Sequence, residues 1–427
     1  MEIYNIAYNL YVQDGEHEPK QMTNFTPVIE TAYYPLESSQ DDIPAYLGIQ
    51  LILEDGSVRS LTLPMTSNLA RTIVAEEPRA VLLKTGYAPL VQKYIVDQLS
   101  KTGRSGECQR GVYLPGNGTY RLADGQHVTV WNGRVAGSTK LEVPYMIKPT
   151  NTYRITNSID RPVPTLVRTL LENDAALVLP VAYALLVSRR DVLTAEQHPL
   201  QGGLYITGVQ SSGKTTLARR VFGYTERIGI PGKAALVLEA VSTEASVRDT
   251  LSENPGCVVI IDDLAHSSSR TIEAHRKKLG GAMLRLAANE GDSTKKGKTG
   301  KTDHRDCTSG IALTAEFVLD GVSELTRSIF VYLEKKLNLT EDVRPALIGA
   351  ILEDFADWFA DNYEHAIELL HKIADSPDIL KNLRVDGADE FTELLTRERR
   401  IQDNLALLQW AFVCMVEMIK SLSLIHI

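Results

Sequence analysis

Gly208, Gly213, Lys214 and Thr215 stand in the order G-x4-G-K-T within the stretch LYITGVQSSGKTT, Leu204 to Thr216. That spacing suits a polyphosphate. Glycines let successive backbone N–H groups curl round an anion, and the helix that follows turns the positive end of its dipole toward the same place. The expected cradle comprises Gly208, Val209, Gln210, Ser211, Ser212, Gly213, Lys214, Thr215 and Thr216. Lys214 would reach the β and γ phosphates of ATP, and the Thr215 hydroxyl would hold the Mg²⁺ that bridges the same oxygens.

A second set of groups follows at the spacing such a site needs. The apolar run Cys257 to Ile261 ends in Asp262 and Asp263. Asp262 would orient the Mg²⁺ shell; Asp263 stands where ATPases of this kind carry the carboxylate that positions the attacking water. Glu239, closing the run Ala234 to Glu239, is the rival for that base, and a solvated strand end accounts for it equally well. Thr314, at the polar end of Ile311–Thr314, would sense the γ phosphate, with Glu316 as its alternative. Arg327, just before Ile329–Tyr332, is the cation expected to reach a γ phosphate across a subunit interface, against the plainer reading of a surface ion pair.

Charge patterning adds a nucleic-acid candidate. The chain carries a net charge of −9, which excludes a generally basic coat. Yet Arg270 to Arg305 holds ten Lys or Arg against four Asp or Glu. Lys295, Lys296, Lys298, Lys301 and Arg305 lie in its glycine-rich part, where they could grip a phosphate backbone by releasing counterions. A solvated loop is the alternative.

The elements that must position these groups alternate strand and helix from about residue 165 to 338, as a parallel sheet requires. The fold expected is an α/β P-loop NTPase core of the AAA+/RecA-like additional-strand class. Residues 1–147 read as a β-rich, mixed N-terminal domain, with a hairpin round Asp55-Gly56, helices at Asn68–Ala75 and Leu90–Lys101, and a small meander from Gly111. Residues 148–164, rich in Thr, Asn and Pro, read as a linker, and 339–421 as a helical C-terminal region. The last six residues, 422–427, match one reading frame through a sequencing-library transposon end, so truncation near Ser421 is expected.

Four cysteines, Cys108, Cys257, Cys307 and Cys414, lie far apart without C-x-x-C spacing, which argues for free thiols in a reducing cytoplasm. The N-terminus lacks a signal-peptide pattern. The apolar run Ala175–Val187 falls short of the roughly 20 residues a bilayer needs, and no membrane partner is expected.

Taken in order, LPVAYALL, GGLYITGVQSSGKTT, VFGYT, VSTEASVRDTL, VVIIDD, the basic loop, LTAEF and ELTRSIFVYL resemble the helicase-like ATPases associated with primases in phages, plasmids and integrative elements. GVYLP resembles that family's upstream segment, so the likeness covers about half of the chain. The resemblance implies an ATP-driven, ring-forming hexameric motor on single-stranded or forked DNA, a primase partner, and a role in replicating a mobile element. Asp263 departs from the glutamate usual there. That keeps open a nucleotide-regulated DNA-binding or loading protein with slow hydrolysis; a small-molecule kinase is disfavoured because no acceptor site is evident.

Overall fold

A computed structural model describes residues 2–36, 42–66, 68–105, 107–149, 153–230, 232–239, 242–264, 269–288, 294–296, 302–304, 307–317, 319, 322–375 and 398–425. The chain divides into two compact units. The first holds Met1–Pro115, Arg121–Asp124 and Lys140–Lys148; the second holds the rest.

In the first unit β1 (Glu2–Ile6), β2 (Asn9–Gln13) and β3 (Lys20–Gln21) form an antiparallel sheet. A five-stranded mixed sheet combines β4 (Phe25–Pro35), β5 (Tyr46–Leu53), β6 (Val58–Pro64) and, after helices α1 (Leu69–Glu76) and α2 (Ala88–Ser105), β7 (Gln109–Leu114). The expected hairpin is present: β5 and β6 pair antiparallel around Gly56, whose φ of +79° no β-branched residue would tolerate. Leu47, Ile49, Leu51 and Leu53, on one parity of β5, are buried, so strict alternation decides which face makes the core.

Along the rest of the chain come β8 (Gly118–Arg121), β9 (His127–Trp131), β10 (Arg134–Val135), β11 (Tyr145–Ile147) and β12 (Tyr153–Ile155). β11 joins β7 in the five-stranded sheet of the first unit. The meander β8–β9–β10 does not: Gly116–Tyr120 and Gly125–Thr139 belong to the second unit. Its Trp131 is fully buried in that unit's core, and Arg134 forms a two-bonded pair with Asp357 at 2.8 Å. The stretch read as a linker contains β12, whose backbone is paired in the second unit's fold.

The second unit continues with α3 (Pro162–Glu172), α4 (Val178–Ser188), α5 (Arg190–Ala195), β13 (Gly203–Gly208), α6 (Lys214–Phe222), β14 (Thr225–Arg227), β15 (Val237–Glu239), α7 (Glu244–Glu253), β16 (Val258–Leu264) and α8 (Arg270–Ala287). Next are β17 (Thr294–Lys296), β18 (Thr302–His304), β19 (Gly310–Ala315), α9 (Val322–Leu325), β20 (Ser328–Leu333), α10 (Pro345–Asp361), α11 (Tyr363–Ala374) and α12 (Arg399–Ile425). β12 pairs with β14. The central sheet is parallel, in the order β15-β16-β19-β13-β20, and its inner strands β13, β16 and β19 are mostly apolar and buried, as strands covered on both faces are.

Pro162 and Pro345 each begin a helix, where the missing N–H costs nothing. Gly349 of α10 permits close packing: a Cβ there would lie 1.8 Å from the carbonyl oxygen of Thr156. α12 is long and apolar enough to cross a membrane, a feature the sequence reading missed, and Trp410, Ala411, Cys414, Met415 and Met418 bury one side of it in the core. The region 339–421 read as helical contains α10, α11 and most of α12, and 376–397 lie outside the described residues.

Candidate functional site

β13 runs apolar into Gly208 and opens there into the glycine-rich turn. Gly208 has φ +146°, and a Cβ would fall 2.2 Å from the Leu333 carbonyl oxygen of neighbouring β20. Only glycine can hold the turn so close to that strand. Ser211, at φ +60°, and Gly213, at φ +98°, continue the left-handed curl, and Gly213 leads directly into α6. The Val209 N–H donates to Leu333 O at 3.2 Å and the Leu337 N–H to Ser212 O at 2.9 Å, tying the turn to β20 and the loop beyond it.

Lys214 and Thr215 therefore sit in the first turn of α6, at its positive end. Lys214 is buried, and a buried ammonium needs acceptors. Its Nζ finds them on its own turn, donating to the carbonyls of Gly208 at 3.1 Å and Val209 at 2.9 Å. The Thr215 hydroxyl donates to Asp262 Oδ1 at 2.9 Å, and the Thr314 hydroxyl to the same oxygen at 2.6 Å. Asp262 lies on β16 between Ile261 and Leu264, where the register with β19 shifts; such an irregularity re-aims a side chain.

The second Asp262 oxygen faces Arg219, at 3.0 Å from Nη2 and 3.3 Å from Nε. Arg219 went unnoticed in the sequence, although it lies one helical turn after Thr215 and so shares its face. Its guanidinium is more than half exposed, so the pair is screened and adds little stability by itself.

A cavity of about 430 Å³ opens beside these groups, lined by Ser211, Gly213, Lys214, Thr215, Thr216, Arg220, Leu264, Thr314, Ala315, Glu316 and residues 336–339. It lies at the carboxyl ends of β13, β16 and β19, where open parallel sheets take ligands. Lys336 and Asn338 carried no sequence signal, since only the folded loop after β20 brings them back.

The remaining expected residues divide. Glu239 is exposed and pairs in register with Asp262, one strand outward and on the side away from β19. Asp263 lies on β16, with its side chain outside the described residues. Arg327 is not at this cavity. It precedes Ser328, which pairs with Gly203, whereas Gly208 pairs with Leu333. That places it roughly 17 Å from the turn at 3.3 Å per residue. It is largely buried, and its guanidinium donates to the carbonyl and hydroxyl of Ser323. Lys295 and Lys296 lie on β17, which pairs antiparallel with β18 in register Thr294↔His304; their side chains, and Lys298, Lys301 and Arg305 entirely, fall outside the described residues.

No protein-family model matches the chain, and no curated protein matches it. Among solved structures it is similar to one described as the active helicase Cch of SCCmec type IV, with a TM-score of 0.61 and 14% identity over 98% of this chain and 74% of that one. An inhibitor-bound JCV helicase aligns over 50% of this chain and 69% of that chain, at 10% identity and a TM-score of 0.25. The chain has a helicase-like fold.

Proposed function

We propose that this chain is an ATP-hydrolysing, helicase-type motor acting on single-stranded or forked DNA in the replication of a mobile genetic element. In this reading it works in the cytoplasm as a homo-oligomeric ring, with a primase as partner and no membrane. One observation carries the proposal: two hydroxyls from separate strands and helices, Thr215 and Thr314, meet on the single carboxylate Asp262 beside the buried Lys214 and an adjoining cavity. The insertion of β19 between β13 and β16 supports the additional-strand class of P-loop NTPases.

The donor set fits Mg²⁺, a hard cation that takes carboxylate and hydroxyl oxygens. When bound, Mg²⁺ would neutralise charge on the β and γ oxygens. Lys214 would leave its two carbonyls for phosphate oxygens, and Thr215 and Asp262 would hold the metal. Thr314 would then be released to orient the attacking water, whose proton Asp263 or Glu239 would accept. Arg327, remote from its own cavity, would serve a neighbouring subunit's γ phosphate. Lys295, Lys296, Lys298, Lys301 and Arg305, on and around the β17–β18 hairpin, would bind the DNA backbone.

Asp263 in the glutamate's place favours a second reading, a DNA-loading protein that hydrolyses slowly. ATP turnover with and without single-stranded DNA, together with the assembly mass, separates the two. DNA-stimulated turnover by a ring of about six subunits supports the motor; turnover indifferent to DNA supports the loader.

A further inference from the structure

On the second unit, away from the residues assigned to nucleotide, two histidines and two carboxylates gather. Just past the end of α5, Gln197 takes the left-handed region, φ +63°, while the His198 N–H closes on Leu193 O at 2.8 Å. That cap, normally a glycine position, carries the chain round so that His198 meets the C-terminal turn of α11. There His198 Nε2 lies 3.7 Å from Asp375 Oδ1, and His371 Nδ1 lies 3.8 Å from Asp375 Oδ2. One ligand atom from each of the three residues falls within 4.8 Å of the others. His371 and Asp375 are one helical turn apart, so both project from one face.

We infer that His198, His371 and Asp375 form a binding site for a divalent transition ion of the zinc class. Glu196 supplies the argument that separates a metal site from a chance cluster. Its carboxylate sits 3.2 Å from His371 Nε2, placed to accept that nitrogen's N–H, and in the tautomer this selects Nδ1 is the ligand atom on the side of Asp375. Tyr363 also bonds Glu196, so the orienting carboxylate is itself held. Two imidazoles and one carboxylate suit zinc, with water in the fourth position, and the half-exposed His371 gives that water access. The ligand atoms must close to about 3.4 Å apart around an ion at roughly 2.0–2.1 Å, a movement of tenths of an ångström for each side chain. An ion there would lock the segment entering β13 to α11, stiffening the approach to the glycine-rich turn. This inference is independent of the nucleotide reading.

The test is a Zn²⁺ titration of the metal-free full chain against a chromophoric chelator, in excess Mg²⁺. We expect one equivalent bound with Kd at or below about 1 μM, lost in His198→Ala and in His371→Ala, and weakened about tenfold or more in Glu196→Gln. Asp375→Ala, at an exposed position, serves as a further ligand variant should either histidine variant fail to fold. Co²⁺ in place of Zn²⁺ should give visible absorption without a near-ultraviolet thiolate band. The inference is overturned by absence of binding in this range, by affinity that survives the ligand substitutions, or by a thiolate band that assigns the ion to cysteine.

Discussion

The two ends of the central parallel sheet treat their polar groups differently. At the amino ends of the strands, donors close on backbone. Arg190 gives Nη1 to Ser309 O at 2.7 Å and Nη2 to Ala287 O; the Ser309 hydroxyl meets Leu251 O at 2.8 Å and Asn254 O at 2.5 Å. At the carboxyl ends, Thr215, Thr314 and Arg219 converge instead on one side chain, Asp262, next to a cavity. Groups buried at the amino ends and bonded to carbonyls there, such as Arg190 and Ser309, hold the fold together. Groups bonded to one another around an opening can exchange partners when a ligand arrives.

The contrast can be broken or sharpened by substitution. Lys214→Ala should lower ATP turnover by about 10³-fold, equivalent to about 4 kcal/mol, with thermal unfolding little changed; a steady-state assay beside a melting curve checks both. Gly208→Ala should cost about 3 kcal/mol of stability or more, since the added carbon meets the Leu333 carbonyl and the backbone angle is unfavourable. Urea unfolding measures it. Ser309→Ala, at the opposite end, should destabilise by about 1–2 kcal/mol by leaving buried carbonyls short of a donor, while ATP affinity stays the same. A loss of nucleotide affinity there would erase the distinction between the two ends.

A further effect depends on pH. Burial, with Asp357 and Glu353 close by, pushes Asp354 from 3.8 up to about 6. The folded chain thus holds that proton more tightly than the unfolded chain, so stability declines as pH climbs from about 4 to about 6 and levels off above. Asp354→Asn should be more stable than the natural chain above pH 6, with the gain vanishing near pH 4, as melting temperatures across that range will show.

How much was legible in the sequence follows from how local each signal is. The glycine-rich turn, the apolar strand before Asp262 and the polar end of β19 are written in consecutive residues, and the structure brings Lys214, Thr215, Asp262 and Thr314 together. The Asp55-Gly56 turn is local too. Arg219 was legible through helical spacing, yet a charged residue on a helix is ordinarily a solvated one. The order of strands, the return of Lys336 and Asn338 to the cavity, and the membership of Gly125–Thr139 in the second unit depend on contacts distant in sequence. Arg134 gave no sign of its partner because Asp357 on α10 lies more than two hundred residues on.

The central claim is that Asp262 and Thr215 hold a metal against a nucleotide held by Lys214. Equilibrium binding of a slowly hydrolysed ATP analogue to the natural chain and to Asp262→Asn, with and without Mg²⁺, tests it most directly. We expect one nucleotide per chain, and Asp262→Asn binding about tenfold or more weaker with Mg²⁺ but equally well or better without it, because a negative charge beside the phosphates is gone. Equal affinity of the two proteins in the presence of Mg²⁺ would contradict the assignment.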